Sequence, residues 1–233
     1  MSNFLLDSVA LPHRPLNRLR NNVNRYVSEF ALRGPAQRST CSAEQRNNIH
    51  LLADQVLAFD VPGDLVEIGC HAGGTTPVIA SVIEHHRADR TLHVFDAFRD
   101  EGRGASSVRD RLEDDFRKAG LPRPTMHEGD PELTMRTQLP DHVAFVHFDH
   151  GADDEDALHC QRLLACLTAI YPRMSIGAIG VLMDYHDPDR TVVGMDRRPG
   201  VKMACDHFFT GKPECIQILY GGRLSQAFFR KVW

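Results

Sequence analysis

The chain has no apolar run near the roughly 20 residues that a bilayer-spanning helix requires, so no membrane association is expected. Its first residues carry a brief apolar patch at Phe4 to Leu6 with no basic segment before it, so no secretory signal is expected. None of the six cysteines (Cys41, Cys70, Cys160, Cys166, Cys205 and Cys215) forms a C-x-x-C pair. Several of them fall within apolar periodic stretches. That argues against a metal knuckle or a redox pair and for buried free thiols in a cytoplasmic protein. Charge of one sign is also lacking. With 27 basic and 31 acidic side chains the net charge is -4, which gives no general attraction to nucleic acid. There is no internal repeat and no low-complexity segment. What remains, at 42% hydrophobic and 25% charged residues over 233 positions, is the composition of an ordinary globular protein with one large α/β core or one core plus a short lobe.

One further pattern is missing, and its absence is informative. The segment Asp64-Leu65-Val66-Glu67-Ile68-Gly69-Cys70-His71-Ala72-Gly73-Gly74-Thr75-Thr76 reads as a strand, a tight turn and a helix start. In open α/β sheets that is where nucleotide-like cofactors bind. Its spacing is E-x-G-x-x-x-G and not the G-x-G-x-x-G of dinucleotide binders, whose extra glycine lets backbone approach a pyrophosphate. The pattern fits a cofactor without a pyrophosphate, and S-adenosylmethionine is the candidate. A second apolar run, Leu92-His93-Val94-Phe95, ends in Asp96, whose carboxylate can accept from both hydroxyls of a ribose. Glu67, inside the first strand, asks for a polar role.

The rest of the chain alternates strands and helices. An amphipathic helix is expected over about 15 to 32, with Leu16, Leu19, Val23, Tyr26, Val27 and Phe30 at helical spacing among basic residues, stopped by Gly34-Pro35. Residues 1–40 therefore read as a helical extension or lid, and 41–233 as the main domain. An apolar stripe outside the core is expected to cover the active site or meet a second subunit, making a homo-oligomer, most simply a dimer. Ser42-Ala43-Glu44-Gln45 resembles a capping box and opens a helix with Ile49, Leu52, Ala53, Val56, Leu57 and Phe59 on one stripe.

Strands follow at about 65–69, 91–95, 125–127, 142–148 and 178–183. Helices fall between them at about 74–86, 106–119 and 154–171, with a short one after Pro131. Val108, Leu112, Phe116 and Ala119 mark the inward face of the second of these. Leu158, Leu164, Leu167 and Ile170 mark that of the third. A last helix over 201–210 leads to a hairpin of Cys215–Tyr220 and Ser225–Val232 about Gly221-Gly222. The fold class is α/β, a Rossmann-like doubly wound sheet of about seven strands with an antiparallel end.

Carboxylates stand just after successive strands: Asp96, Asp130, Asp149 and Asp184. Each alone could be a helix cap; all four as caps would be unusual. Asp149 and Asp184 are expected to converge beyond neighbouring strands, with His150, Asp153, Asp154, Asp156, His186, Asp187 and Asp189 around them. Asp153, Asp154 and Asp156 read as cap and first-turn acids of the next helix. Oxygen ligands with an occasional histidine suit magnesium, which could hold two substrate hydroxyls and acidify one.

These residues carry a resemblance to the macrocin O-methyltransferase family, S-adenosylmethionine-dependent enzymes that methylate sugar hydroxyls of macrolide and related antibiotics. It spans roughly residues 45–185. It rests on Val61-Pro62-Gly63-Asp64-Leu65-Val66-Glu67-Ile68-Gly69, on Gly73-Gly74, on Asp89 to Phe98, on Phe148-Asp149, on Leu167 to Gly177 and on Met183-Asp184-Tyr185. The resemblance implies a class I methyltransferase fold and transfer to a hydroxyl of a small-molecule acceptor. Glu67, Gly69, His71, Gly73, Gly74 and Thr75 would form the cofactor loop, Asp96 and Ala97 would lie at the ribose, and Gly129 and Asp130 near the adenine. Asp149 and Asp184 would match metal aspartates, Asp149 also being the base. Two departures stand out. Met183 occupies the place of an acid, and a thioether is a poor magnesium ligand. His150-Gly151-Ala152-Asp153 replaces the usual small-acidic-aromatic run. Asp153 or His186 could supply a shifted ligand, or His150 or His186 could act as general base without metal on a nitrogen or phenolic oxygen. A cofactor-binding subunit without turnover is the remaining alternative.

Overall fold

A computed structural model describes residues 41–71, 73–99, 107–150, 155–191, 194–221 and 224–233. The expected extension over 1–40, and Asp153 and Asp154, lie outside these residues, as does the segment Gly102-Arg103-Gly104, which reads from sequence as a loop. Among the described residues the helices are α1 (Ala43–Ala58), α2 (Thr76–His86), α3 (Val108–Ala119), α4 (Pro131–Gln138), α5 (Asp156–Ile170) and α6 (Pro199–Phe209). The strands are β1 (Asp64–Ile68), β2 (Leu92–Asp96), β3 (Thr125–Glu128), β4 (Val143–Phe148), β5 (Met174–Met183), β6 (Gln217–Gly221) and β7 (Leu224–Arg230). They form one sheet of seven strands in the order β3-β2-β1-β4-β5-β7-β6. β1 to β5 pair in parallel, and β7 joins antiparallel to both β5 and β6. No described helix is long and apolar enough to cross a membrane.

The order reverses between β1 and β4, so the chain leaves β1 toward β2 and later returns to lay β4 on the other side. The crevice beyond the carboxyl ends of β1 and β4 is thus the switch point of the sheet. β1 and β4 are buried almost throughout, as central parallel strands are, with Glu67 and His147 as buried polar residues among apolar ones. Leu65, Ile68, Phe95, Phe145 and Phe229 are completely buried and fill the core on both sides of the sheet.

Helix ends follow local chemistry. Ser42 accepts from Gln45 N at 3.1 Å and Gln45 Oε1 accepts from Ser42 N at 2.9 Å, the reciprocal box its sequence signals. Ile49, Leu52, Ala53 and Val56 bury against the sheet as the stripe requires, but Phe59 is 78% exposed because it is the residue that ends the helix. Leu158, expected inward, is 41% exposed, one turn before the part of α5 that buries Leu163, Cys166, Leu167 and Ile170. β5 begins at Met174, earlier than the expected Ala178. Met174 pairs with Val143, the register then shifts, and Ile179 pairs with Phe145. Gly177, at φ +88°, lies within that bulge and hides the strand from a pattern-based reading.

Candidate active site

The turn after β1 is built around one buried carboxylate. Glu67 is completely buried, and its Oε1 accepts from the Thr75 hydroxyl and lies 3.1 Å from Nδ1 of the equally buried His147 on β4. The carboxylate can only accept, so His147 donates from Nδ1. Thr75 stands at the cap position of α2 yet makes no cap hydrogen bond, because its hydroxyl is committed to Glu67. Glu67 thus ties the helix start, β1 and β4 together beneath the turn. This is the polar role that its core position demanded.

Gly69 opens the turn at φ +81°, and a Cβ there would stand 2.5 Å from the backbone oxygen of Asp149. The close approach brings the ends of β1 and β4 together, and only glycine permits both the dihedral and the contact. Asp96 then clamps the turn from β2: its Oδ2 accepts from Cys70 N at 2.8 Å and His71 N at 3.1 Å, and its Oδ1 accepts from Phe98 N at 2.6 Å. An ionised carboxylate offers about four acceptor sites, so this one keeps capacity for a ligand hydroxyl. Gly129 N donates to the Asp96 backbone oxygen at 3.0 Å and brings the β3 tip alongside. Asp130 follows at the cap position of α4, without capping it; its Oδ1 accepts from Arg99 at 2.9 Å.

These tips open on a cavity of about 350 Å³. Gly69, His71, Asp96, Ala97 and Asp130 line one half, and Asp149, His150, Met183 and Asp184 line the other. Gly73, Gly74, Thr75, Gly129 and Glu67 shape the turns behind its wall and do not line it. His186, expected as a catalytic candidate, is not brought to the cavity. Asp184 takes φ +55° as β5 ends, and the chain turns so that His186 packs in the interior with Nδ1 3.3 Å from Ser225 Oγ of β7.

The second half is electrostatically tense. Burial pushes the Asp149 carboxyl up to about 7, with the negative charges of Asp184 and Glu67 adding to the effect and His147 and Arg198 opposing it. Asp184 is also raised by burial, against the pull of Arg197, Arg198 and His159. His150 is lowered by burial, with Glu132, 3.5 Å away, pulling the other way. Its backbone oxygen lies 2.8 Å from Nε2 of His159. Arg99, Arg162, Arg197, Arg198 and His159 also line the cavity and were not singled out from sequence. The run Arg197-Arg198-Pro199-Gly200 carried the only signal, as part of a loop after β5.

The residues present fit an S-adenosyl cofactor in one half: a tight turn at the end of β1 lining the cavity, and a carboxylate oriented by three backbone donors with acceptor capacity left for a ribose hydroxyl. Among the described residues, those of the other half do not make a magnesium site. Magnesium demands a near-octahedral set of oxygens. Among the described residues no group of three or more His, Cys, Asp or Glu side chains could hold a metal ion. Met183, in place of an acid, spends its sulfur on the Gln226 side chain at 3.0 Å, and Arg198 Nε stands 3.9 Å from the Asp184 carboxylate.

Comparison with known proteins agrees with the fold. The sequence profile of the Macrocin-O-methyltransferase (TylF) family matches residues 12–125. No curated protein matches the chain significantly. Among solved structures the chain is similar to the O-methyltransferase NovP, at 21% identity and a TM-score of 0.65 over 84% of this chain and 83% of NovP. It is similar to TomG of Streptomyces achromogenes, an O-methyltransferase involved in tomaymycin synthesis solved with S-adenosylmethionine, at 16% identity and a TM-score of 0.59 over 89% of each chain. It is also similar to an S-adenosylhomocysteine-bound methyltransferase of Podospora anserina, at 13% identity and a TM-score of 0.58 over 99% of each chain. The fold is that of the class I S-adenosylmethionine-dependent methyltransferases.

Proposed function

We propose that the protein is an S-adenosylmethionine-dependent methyltransferase acting on a hydroxyl of a small molecule, a sugar or another natural-product intermediate. The observation that carries this reading is the single cavity shared by the Asp96 clamp and the Asp149 carboxylate, on the two sides of the sheet's switch point. The partial family match and the natural-product setting of TomG support the acceptor class.

When bound, S-adenosylmethionine supplies an electrophilic methyl group on a sulfonium. The chain's own residues then have two tasks. The Gly69 turn and Asp96 would hold the cofactor's ribose. Asp149 would hold the acceptor hydroxyl and take up its proton when the methyl group is transferred. Because the displacement is in line, alignment supplies much of the acceleration. A carboxylate pushed up to about 7 is a better base for a neutral hydroxyl near neutral pH than an ordinary one. His150, half-buried in the same cavity, is the second candidate base and would suit a nitrogen or phenolic acceptor; His186, held on Ser225, is no longer one.

The test combines two readouts. Calorimetry with S-adenosylhomocysteine is expected to show one site per chain, weakened by Asp96→Ala. Incubation with tritiated-methyl S-adenosylmethionine across a panel of glycosylated and phenolic acceptors is expected to label a hydroxyl. Cofactor binding with no label transferred over the whole panel would favour a non-catalytic subunit.

A further inference from the structure

Asp184 lies where the macrocin-type resemblance places the last metal carboxylate, yet its surroundings are those of an arginine partner. Its side chain is 17% exposed and that of Arg198 is 21% exposed, so the pair is largely withdrawn from water. At 3.9 Å between Arg198 Nε and the Asp184 carboxylate the two make an ion pair at the cavity wall. Arg197 adds a second positive charge to the same wall. Asp184 is thus met by the guanidinium of Arg198, with the charge of the more exposed Arg197 added to it, and Arg198 also acts on Asp149.

The placement of Arg198 is set by helix packing and not by a free loop. It is the residue before α6, with Val201 N donating to its carbonyl at 2.9 Å. Pro199 begins the helix, and at Gly200 a Cβ would stand 2.5 Å from the carbonyl oxygen of Asp156, so the start of α6 is seated directly on the start of α5. On the other side of Asp184, the position that would complete a metal site is Met183, whose sulfur faces Gln226, which in turn accepts from Asn48 at 2.8 Å. A hydrogen-bonded thioether in the sheet is not available as a ligand, and would be a poor one.

We propose that the Arg198 guanidinium stands in for a divalent cation in this site, compensating Asp184 and offering N–H donors to the acceptor oxygen beside Asp149. A guanidinium stays charged at every physiological pH and presents its donors in a fixed plane, so it can orient an oxygen without binding a metal. The proposal rests on the methyl-transfer reading above.

Manganese, a spin-active substitute for magnesium, tests it by electron paramagnetic resonance titration without any acceptor. In the wild-type chain, Asp184→Asn is expected to leave manganese affinity unchanged. Arg198→Met is expected to tighten it by about tenfold or more, the scale of one good added interaction, and Asp184→Asn in the double variant to abolish that gain. Should Arg198→Met not fold, Arg198→Gln serves in the same comparison. The proposal is overturned if Asp184→Asn weakens wild-type manganese binding by roughly tenfold or more, the usual result of disturbing a metal site, or if removing the guanidinium yields no gain. Calorimetry with S-adenosylhomocysteine on the same wild-type sample keeps the two readings apart. Loss of cofactor binding would sink the methyltransferase reading, whereas the manganese comparison bears only on Arg198.

Discussion

The two halves of the cavity handle their carboxylates in opposite ways. On the β1–β2 side, Glu67 is locked between Thr75 and His147, and Asp96 accepts from three backbone N–H groups. Hydrogen bonds made by the fold itself hold these two acids in place. On the β4–β5 side, Asp149 sits in a withdrawn setting near the charge of Asp184 and is balanced first by His147 and then by Arg198, while Asp184 is balanced by Arg197, Arg198 and His159. The first half is finished before a ligand arrives. The second half holds charge in reserve, which suits a proton that has to move. On the methyl-transfer reading, rigidity would belong to the part that binds, and electrostatic strain to the part that reacts.

The largest expected effect comes from breaking the strained half. Asp149→Asn keeps shape but loses the base, and turnover at saturating cofactor is expected to fall about 10²- to 10⁴-fold. Affinity for S-adenosylhomocysteine, measured by calorimetry, should stay the same. Near wild-type turnover would remove Asp149 from the mechanism.

Next comes the finished half. Gly69→Ala must accommodate a Cβ 2.5 Å from the Asp149 oxygen at a left-handed dihedral. It is expected to destabilise the chain by about 1–3 kcal/mol in urea unfolding and to weaken cofactor binding as well, since β1 and β4 are pried apart at the switch point. A smaller loss is expected from Asp96→Ala. Cofactor affinity should drop by roughly 1–3 kcal/mol, the scale of hydrogen bonds to a charged group, while turnover at saturating cofactor changes little. If Asp96→Ala instead abolished turnover at saturation, the division of labour between the halves would fail.

The subtlest expectation concerns pH. Asp149 must be ionised to accept a proton, and burial raises it to about 7, so activity should fall as pH drops through that value. Because the charge of Asp184 contributes to the rise, Asp184→Asn should move this limb to lower pH. Stability follows with the opposite preference. A carboxyl raised on folding favours the protonated state, so its contribution is full at or below the ordinary carboxylate range and declines as pH rises toward 7. Asp149→Asn should therefore melt above the wild type at pH 8 and lose that advantage near pH 4. An identical difference in melting temperature at both pH values would mean that Asp149 does not titrate in this window.

Most of the parallel sheet was legible because its signals are local. An apolar run ending in an acid, then a turn, marks a strand tip whatever the partner strand, and the capping box at Ser42 and Gln45 is contained within four residues. The acids at the tips were legible for the same reason, and Asp96, Asp130, Asp149 and Asp184 do line one cavity. What could not be read depends on distant partners. His186 follows the strand tip closely, yet it is drawn away by Ser225. Met183 looks like a lost ligand until Gln226 is placed across the sheet. Arg198 lies in what reads as a loop, and only the seating of Gly200 on α5 shows where it points. The early start of β5 was hidden by a bulge whose register is set by Val143 and Phe145.

That sheet-spanning polar contact behind Met183 also bears on how the molecule assembles. Ser42 and Asn48 of the first described segment donate to the carbonyls of Gly221 and Tyr220, and Asn48 donates to Gln226. These partners are separated by 172 to 179 residues. Loops of that length close slowly, because chain entropy must be surrendered before any contact rewards it. The α1 segment should therefore fold onto the molecule late, after β5 and β7 have paired, and the wall behind Asp184 should be among the last surfaces to acquire protection from hydrogen exchange.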